Sequence, residues 1–310
     1  AAALGMLYYF ILAHQADFDV VWCRGTIGEK IFRPWVDILE KIGAKVLTKR
    51  RVTDVIVDSN NQATGVVCGE ETFEADAVIF AVGVTGMQKI ISSSPALQSR
   101  QEFRDVMNLG AVDVLAVRLW FDRKIDIPLP SNACFGFSST TGWTFFDLNA
   151  LHDEFRDEPG TVVEADFYHA NQLISLKNEE IVALVQRDLA TCIPAFRDAK
   201  VIDSSAIRLS RAVTHFAPGS YQYLLPAVTS YDNVLMSGDW VVTRHGSWSQ
   251  EKAYVTGLEA ANLVISRFGI GNKAAIIPVE ADEPHIQIGR QINQVARSLT
   301  KAFIPDFWLP

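Results

Sequence analysis

The chain has little sulfur, no surplus of positive charge and no clustered glycine signature, and each shortage removes a class of function. Its four cysteines, Cys23, Cys68, Cys134 and Cys192, are far apart, with no Cys-x-x-Cys pair and no histidine at ligand spacing. That pattern excludes a structural zinc site and points to a reducing compartment. Lysine and arginine total 28 against 36 acids, a net charge of −8, which argues against binding a phosphate backbone and so against a nucleic-acid partner. No Gly-x-Gly-x-x-Gly turn, phosphate-binding Gly-Lys-Ser/Thr loop, Gly-x-Ser-x-Gly elbow or internal repeat is present. The opening "AAALGMLYYFILAHQA" carries no formal charge before Asp17, yet its apolar run is shorter than the roughly 20 residues a bilayer span needs. It lacks the basic start of a signal peptide. We read it as a buried or membrane-surface helix of a chain that begins inside a longer polypeptide.

Apolar residues, by contrast, are plentiful. They make up 49% of the 310 residues and the mean hydropathy is +0.13, enough for a large core with apolar surface left for a ligand, a partner or a membrane face. The length suits one large domain or two interleaved ones. "TIGEKIFRPWVDILEKIGA" sets Ile27, Ile31, Trp35, Ile38, Leu39 and Ile42 on one helical face, with Pro34 expected to kink or split it. Next, short β-branched runs broken by Asp58-Ser59-Asn60-Asn61 and Gly69-Glu70-Glu71 predict a small antiparallel excursion. It returns as the strand Ala77 to Val82, so apolar that both its sides should be covered, as in a parallel sheet. Strands are predicted at 112–122, 133–138, 143–148, 161–169 and 201–211, and a helix over 178–192, together an antiparallel second domain. The segment 285–302 is amphipathic, and the ending "FIPDFWLP" is apolar enough to dock on this chain, a partner or a membrane.

The stretch "VLMSGDWVVTRHGSWSQEKAYVTGLEAAN" carries the chemistry. A buried strand ends at Gly238, which lets another group approach the backbone, and then presents Asp239, a carboxylate able to accept from ribityl or ribose hydroxyls. The helix that follows has unpartnered first-turn N–H groups, which favour an electron-rich oxygen such as the carbonyl of a reduced flavin ring.

These residues resemble the C-terminal flavin-contact motif of the FAD-dependent amine oxidase superfamily, nearest its carotenoid (phytoene) desaturase-like branch. "KIFRPWVDILEKIGAKVLTKRRVTDVIVD" followed by "EADAVIFAVG" resembles the central segment of the same branch. The resemblance covers most of residues 22–267. It implies an α/β fold with mixed α+β character: part of an FAD-binding Rossmann-like domain, interleaved with a substrate domain of antiparallel sheet and helices. The expected boundaries are 22–84 with 231–267 for an incomplete FAD domain, 1–21 with 85–230 for the substrate domain, and 268–310 for an amphipathic tail.

Carried onto this chain, the resemblance implies that Val52 meets the adenine part of FAD through its backbone and that Ala81 and Gly83 lie near the cofactor. Asp239 would bind the ribityl or pyrophosphate region with Gly238 clearing the approach, and Gln250, Glu251 and Ala253 would face the pyrimidine edge of the flavin. The implied activity is hydride removal from an apolar substrate such as a carotenoid, in a plastid or cyanobacterial setting on or near a membrane. Three departures are visible. The first glycine-rich turn of the family is absent, and Lys252 stands where the pattern has glycine. Ser249 occupies the place of a cage tyrosine, which argues against a small amine. Two other readings stay open: a non-catalytic structural or pigment-associated subunit of a larger photosynthetic membrane assembly, and an amine or amino-acid oxidase. No catalytic acid or base and no metal ligand is assigned.

Overall fold

The computed structural model describes residues 21–137, 142–245, 249–279, 281 and 284–300. The opening apolar segment, the ending "FIPDFWLP" and Trp248 lie outside the described residues. The chain forms two compact units, one of residues 1–46, 115–167 and 175–207, the other of residues 47–114, 168–174 and 208–310.

In the first unit the Pro34 expectation is resolved as a split. A π-type turn, Gly28–Phe32, gives way to α1, Arg33–Lys41, with the proline in its first turn, where its missing N–H costs nothing. The apolar face is at the expected spacing and only partly covered: Trp35 is 45% exposed and Ile38 57%.

The five-stranded sheet has the order β6-β7-β8-β5-β9, from β5 Gly110–Phe121, β6 Ser131–Cys134, β7 Trp143–Asp147, β8 Val162–Tyr168 and β9 Val201–His215. The pairs β6–β7 and β7–β8 are antiparallel. Strand alternation is visible in β8, where Val163, Ala165 and Phe167 are buried and Glu164 and Asp166 are on the other face. Trp143 sits opposite Phe167 in register and stacks on it, ring centroids 5.3 Å apart. The predicted helix appears as α3, Asn178–Cys192, and buries Ile181, Val185 and Leu189 at one-turn spacing. Its start is fastened by the Glu180 carboxylate, which accepts from the Lys177 backbone N–H at 2.8 Å.

The second unit begins with the antiparallel excursion β1 Asp54–Val57, β2 Ala63–Cys68 and β3 Glu71–Glu74. The turn expected at Asp58–Asn61 is present, with the Asp58 carboxylate accepting from the N–H groups of Asn60 and Gln62. The chain returns as β4, Val78–Phe80, followed by α2, Val84–Ser93. β4 pairs in parallel with β10, Val234–Met236, and Val78, Ile79 and Phe80 face Val234, Leu235 and Met236. The expectation that both sides of β4 are covered fails at Ile79, which is 40% exposed, whereas Val78 and Phe80 are buried. Ile79 faces an open cleft rather than a packed helix. One core cluster joins the excursion, β4, α2 and β10 through Val55, Phe80, Met87, Leu97, Phe103, Met236 and Trp240. After β10 come α4, Ser249–Phe268, and α5, Pro284–Thr300, which realises the amphipathic tail segment.

Candidate functional site

Parallel pairing of β4 with β10 sets their carboxyl ends side by side, where loops of an open α/β sheet gather functional groups. The ladder runs one step past the strands, with Ser237 N–H donating to Phe80 O at 3.0 Å. Beyond it the Trp240 indole, fully buried, donates to Val82 O at 2.8 Å and ties the two chain ends together. Gly238 has φ +143°, and a Cβ there would stand 3.3 Å from the Trp240 ring nitrogen and 3.7 Å from Val82 O. Both the conformation and the space call for glycine. Its N–H donates to Thr256 Oγ1 at 2.9 Å, and that hydroxyl donates to Lys252 O at 2.9 Å, anchoring the loop to α4.

Asp239 is half-buried, and burial pushes its carboxyl above the ordinary carboxylate range. The Lys252 ammonium and the backbone N–H groups of Asp239 and Trp240 oppose that rise. Lys252 shows the mirror effect: burial pulls its ammonium down, and the Asp239 charge works against burial. Its Nζ lies 5.7 Å from the centre of the Phe216 ring, a cation–π contact. The lysine at the glycine position is therefore a charged neighbour of Asp239.

A cleft of about 710 Å³ opens beside β4, within the size range of small-molecule sites. Its walls include Val52, Thr53, Ile79, Ala81, Val82 and Gly86, and Arg51 and Lys89 add positive charge beside Arg50, which is ion-paired with Glu71. An apolar wall edged by cations suits a flat ring bonded to a phosphate. The glycine-rich pyrophosphate turn is absent from the 310 residues.

Of the expected residues, Val52 and Ala81 line this cleft together. Gly238 abuts Val82, another of its lining residues, and Asp239 follows directly. Gly83 is the residue before α2, with φ −65° and open space where a Cβ would stand. Nothing in its own backbone requires glycine. Gln250 and Glu251 are exposed in the first turn of α4, and neither lines the cleft. Ala253 is half-buried, and its carbonyl is within reach of Thr256 Oγ1 at 3.1 Å. The helix start is irregular, since Ser249 has φ +58°. Sequence reasoning missed Thr256 and the Trp240 indole. The signal for Thr256 was a hydroxyl four residues after Lys252 on an otherwise small-residue helix.

The sequence model of the family described as flavin containing amine oxidoreductase matches residues 20–265. A carotenoid phi-ring synthase of Chlorobaculum tepidum is 28% identical over 235 residues, 73% of this chain and 35% of that protein. A 15-cis-phytoene desaturase of Synechococcus elongatus is 25% identical over 254 residues, 78% of this chain and 52% of that protein. This chain therefore spans about half, or less, of the length of these relatives. Among solved structures, an oxidoreductase from Methanosarcina mazei superposes with a TM-score of 0.57 at 15% identity, over 75% of this chain and 53% of that one. At that identity the likeness concerns the fold.

Proposed function

The chain belongs to the flavin containing amine oxidoreductase family, and from that premise we propose that it is an FAD-dependent oxidoreductase of carotenoid desaturase type, removing hydride from an apolar polyene. The observation that carries this reading is the convergence of the Val52–Ala81 cleft with the Val82–Gly238–Asp239 junction at the carboxyl ends of β4 and β10. The polyene class is supported by the kinship with a phytoene desaturase and a phi-ring synthase.

In this reading bound FAD supplies the hydride acceptor, and the protein supplies orientation, dryness and charge. Val52 and Ala81 hold the adenine end against an apolar wall, with Arg51 and Lys89 attracting phosphate. Asp239 accepts from a hydroxyl of the ribityl chain. Lys252 opposes the rise that burial gives that carboxyl and places positive charge near the junction, which favours a cofactor that becomes more electron-rich on reduction. We place the protein in a plastid or cyanobacterial setting, consistent with the cyanobacterial relative. Among the described residues no helix is long and apolar enough to cross a membrane.

The test is a titration of the purified chain with FAD, followed by flavin fluorescence, on the parent and on Asp239→Asn. A hydrogen bond to a charged acceptor is worth about 1.5–3 kcal/mol, so the variant should bind FAD about 10- to 150-fold more weakly. Burial raises the Asp239 carboxyl, so the same change should leave the apoprotein at neutral pH as stable as the parent or more so. Equal FAD affinity in parent and variant would overturn the assignment. Peroxide release on adding amines or amino acids would favour the oxidase reading, and absence of any flavin binding by the full chain the structural-subunit reading.

A further inference from the structure

The four cysteines looked unrelated in sequence, but folding brings two of them into contact. Cys134 ends β6 and Cys192 ends α3, 58 residues apart along the chain, and their sulfurs lie 3.7 Å from each other. Cys134 is 7% exposed, while Cys192 is exposed. All four cysteines are free thiols. We propose that Cys134 and Cys192 are a redox-modification site, a dithiol that closes reversibly to a disulfide through its exposed member.

Three features of the pair support this. The sulfurs are at van der Waals contact, and a disulfide needs about 2.05 Å, so closure asks for about 1.7 Å of combined movement by two side chains at the ends of their elements. The pair is asymmetric in access: an oxidant in solution reaches Cys192 first, and Cys134 stands directly behind it as the resolving thiol. Burial, followed by the hydrogen bond with Cys192, pushes the Cys134 thiol up to about 12, so it stays protonated at neutral pH and does not compete for the first step. Neither cysteine lines the cleft beside β4.

The chemistry balances with glutathione disulfide as oxidant. The Cys192 thiolate attacks one sulfur, a Cys192–glutathione bond forms, and the first glutathione leaves as thiolate. Cys134 then gives its proton to solvent and attacks the Cys192 sulfur. The Cys134–Cys192 bond forms as the second glutathione leaves. Two protein thiols lose two electrons, and one glutathione disulfide becomes two glutathiones. The closed bond ties the edge strand β6, and the Phe135 and Phe137 that follow it, to the end of α3.

The full chain would be equilibrated in glutathione buffers from fully reduced to fully oxidised, alkylated, and mapped by peptide mass. The expected result is one cross-linked peptide pair, Cys134 with Cys192, two hydrogens lighter than the reduced pair, and a melting temperature higher by about 5 °C or more in the oxidised form. Cys192→Ser, at the exposed position, should fold normally and lose both the cross-link and the redox-dependent melting shift. Cys134→Ser should instead hold glutathione on Cys192. Full alkylation of both cysteines in the most oxidising buffer would overturn the proposal, as would a melting shift that persists in Cys192→Ser.

Discussion

Asn233 holds the antiparallel excursion against the strand pair that frames the cleft, and its loss should be costly. Its side chain is 4% exposed. The amide nitrogen donates to Ala63 O at 2.7 Å and Asp76 O at 2.8 Å, and the amide oxygen accepts from Ala63 N–H at 2.7 Å. Asn233→Leu keeps much of the volume and removes the partner of all three backbone groups, of which the two on buried Ala63 are stranded while exposed Asp76 can turn to water. An unsatisfied buried polar group costs about 1–3 kcal/mol, and with partial relaxation two of them give a loss of about 2–4 kcal/mol. That is a large share of the roughly 5–15 kcal/mol that holds a domain folded. Urea unfolding measures the global loss, and amide exchange at Ala63, whose N–H relies on this side chain, gives the local one. Asn233→Asp is the sharper variant. A carboxylate still accepts from Ala63 but faces two carbonyls with no proton to offer. It should therefore be worse than leucine at neutral pH and recover as pH falls toward about 4, because burial beside two carbonyls raises that carboxyl above its ordinary value. A loss under about 1 kcal/mol for the leucine variant, with Ala63 exchange unchanged, would refute the idea that this one residue fastens the excursion.

Two further outcomes follow from the geometry. Gly238→Ala forces a Cβ into a positive-φ position 3.3 Å from the Trp240 ring nitrogen, and should lose about 1–3 kcal/mol in denaturant titration as well as weaken FAD binding. Gly83→Ala meets open space at φ −65° and should leave apoprotein stability within about 0.5 kcal/mol of the parent; equal losses at the two glycines would sink the distinction. In the first unit, burial and then the Glu164 charge push the Asp166 carboxyl up to about 7, with Arg118 opposing. Its folded value lies above its unfolded one, so the stability it contributes is complete at low pH and is lost as pH rises from about 4 to about 7. Asp166→Asn should flatten the melting-temperature profile over that window, and parallel profiles would refute it.

The parts of the fold legible in the sequence are those set by local pattern. Asn178–Cys192 was readable because three acids and amides open a run with apolar residues one turn apart, and β8 because its apolar residues alternate. The turn at Asp58–Asn61 was readable because its carboxylate closes the turn on its own backbone. What escaped depends on partners distant in sequence. The exposed flank of Ile79 is decided by what lies beside β4, and a three-residue apolar strand says nothing about that. Asn233 reads as an ordinary turn residue, yet it bonds Ala63 across 170 positions. The candidate site divides the same way. Gly238-Asp239 was visible as a strand end followed by an acid, whereas the link of that acid to Lys252 needed α4 to fold back on the loop. The cysteine contact had no local signature at all.

The state of the polar groups at the junction supports the proposed role of Asp239, rather than of its neighbours, toward a ligand. Phe80 O is taken by Ser237 N–H, Val82 O by the Trp240 indole, and Gly238 N–H by Thr256. Those bonds close the strand ends internally and make the loop rigid. Asp239 receives its own N–H and that of Trp240, which leaves acceptor capacity on a carboxylate that burial already disfavours. Its cationic neighbour, Lys252, is itself partly desolvated and so compensates only in part. A charged acceptor kept in an unfavourable place, with spare lone pairs and a fixed backbone beneath it, is the arrangement a hydroxyl-bearing ligand stabilises on arrival. FAD binding should accordingly lower the Asp239 pKa. A carboxyl titration by NMR that shows the same value with and without FAD would place the ligand elsewhere.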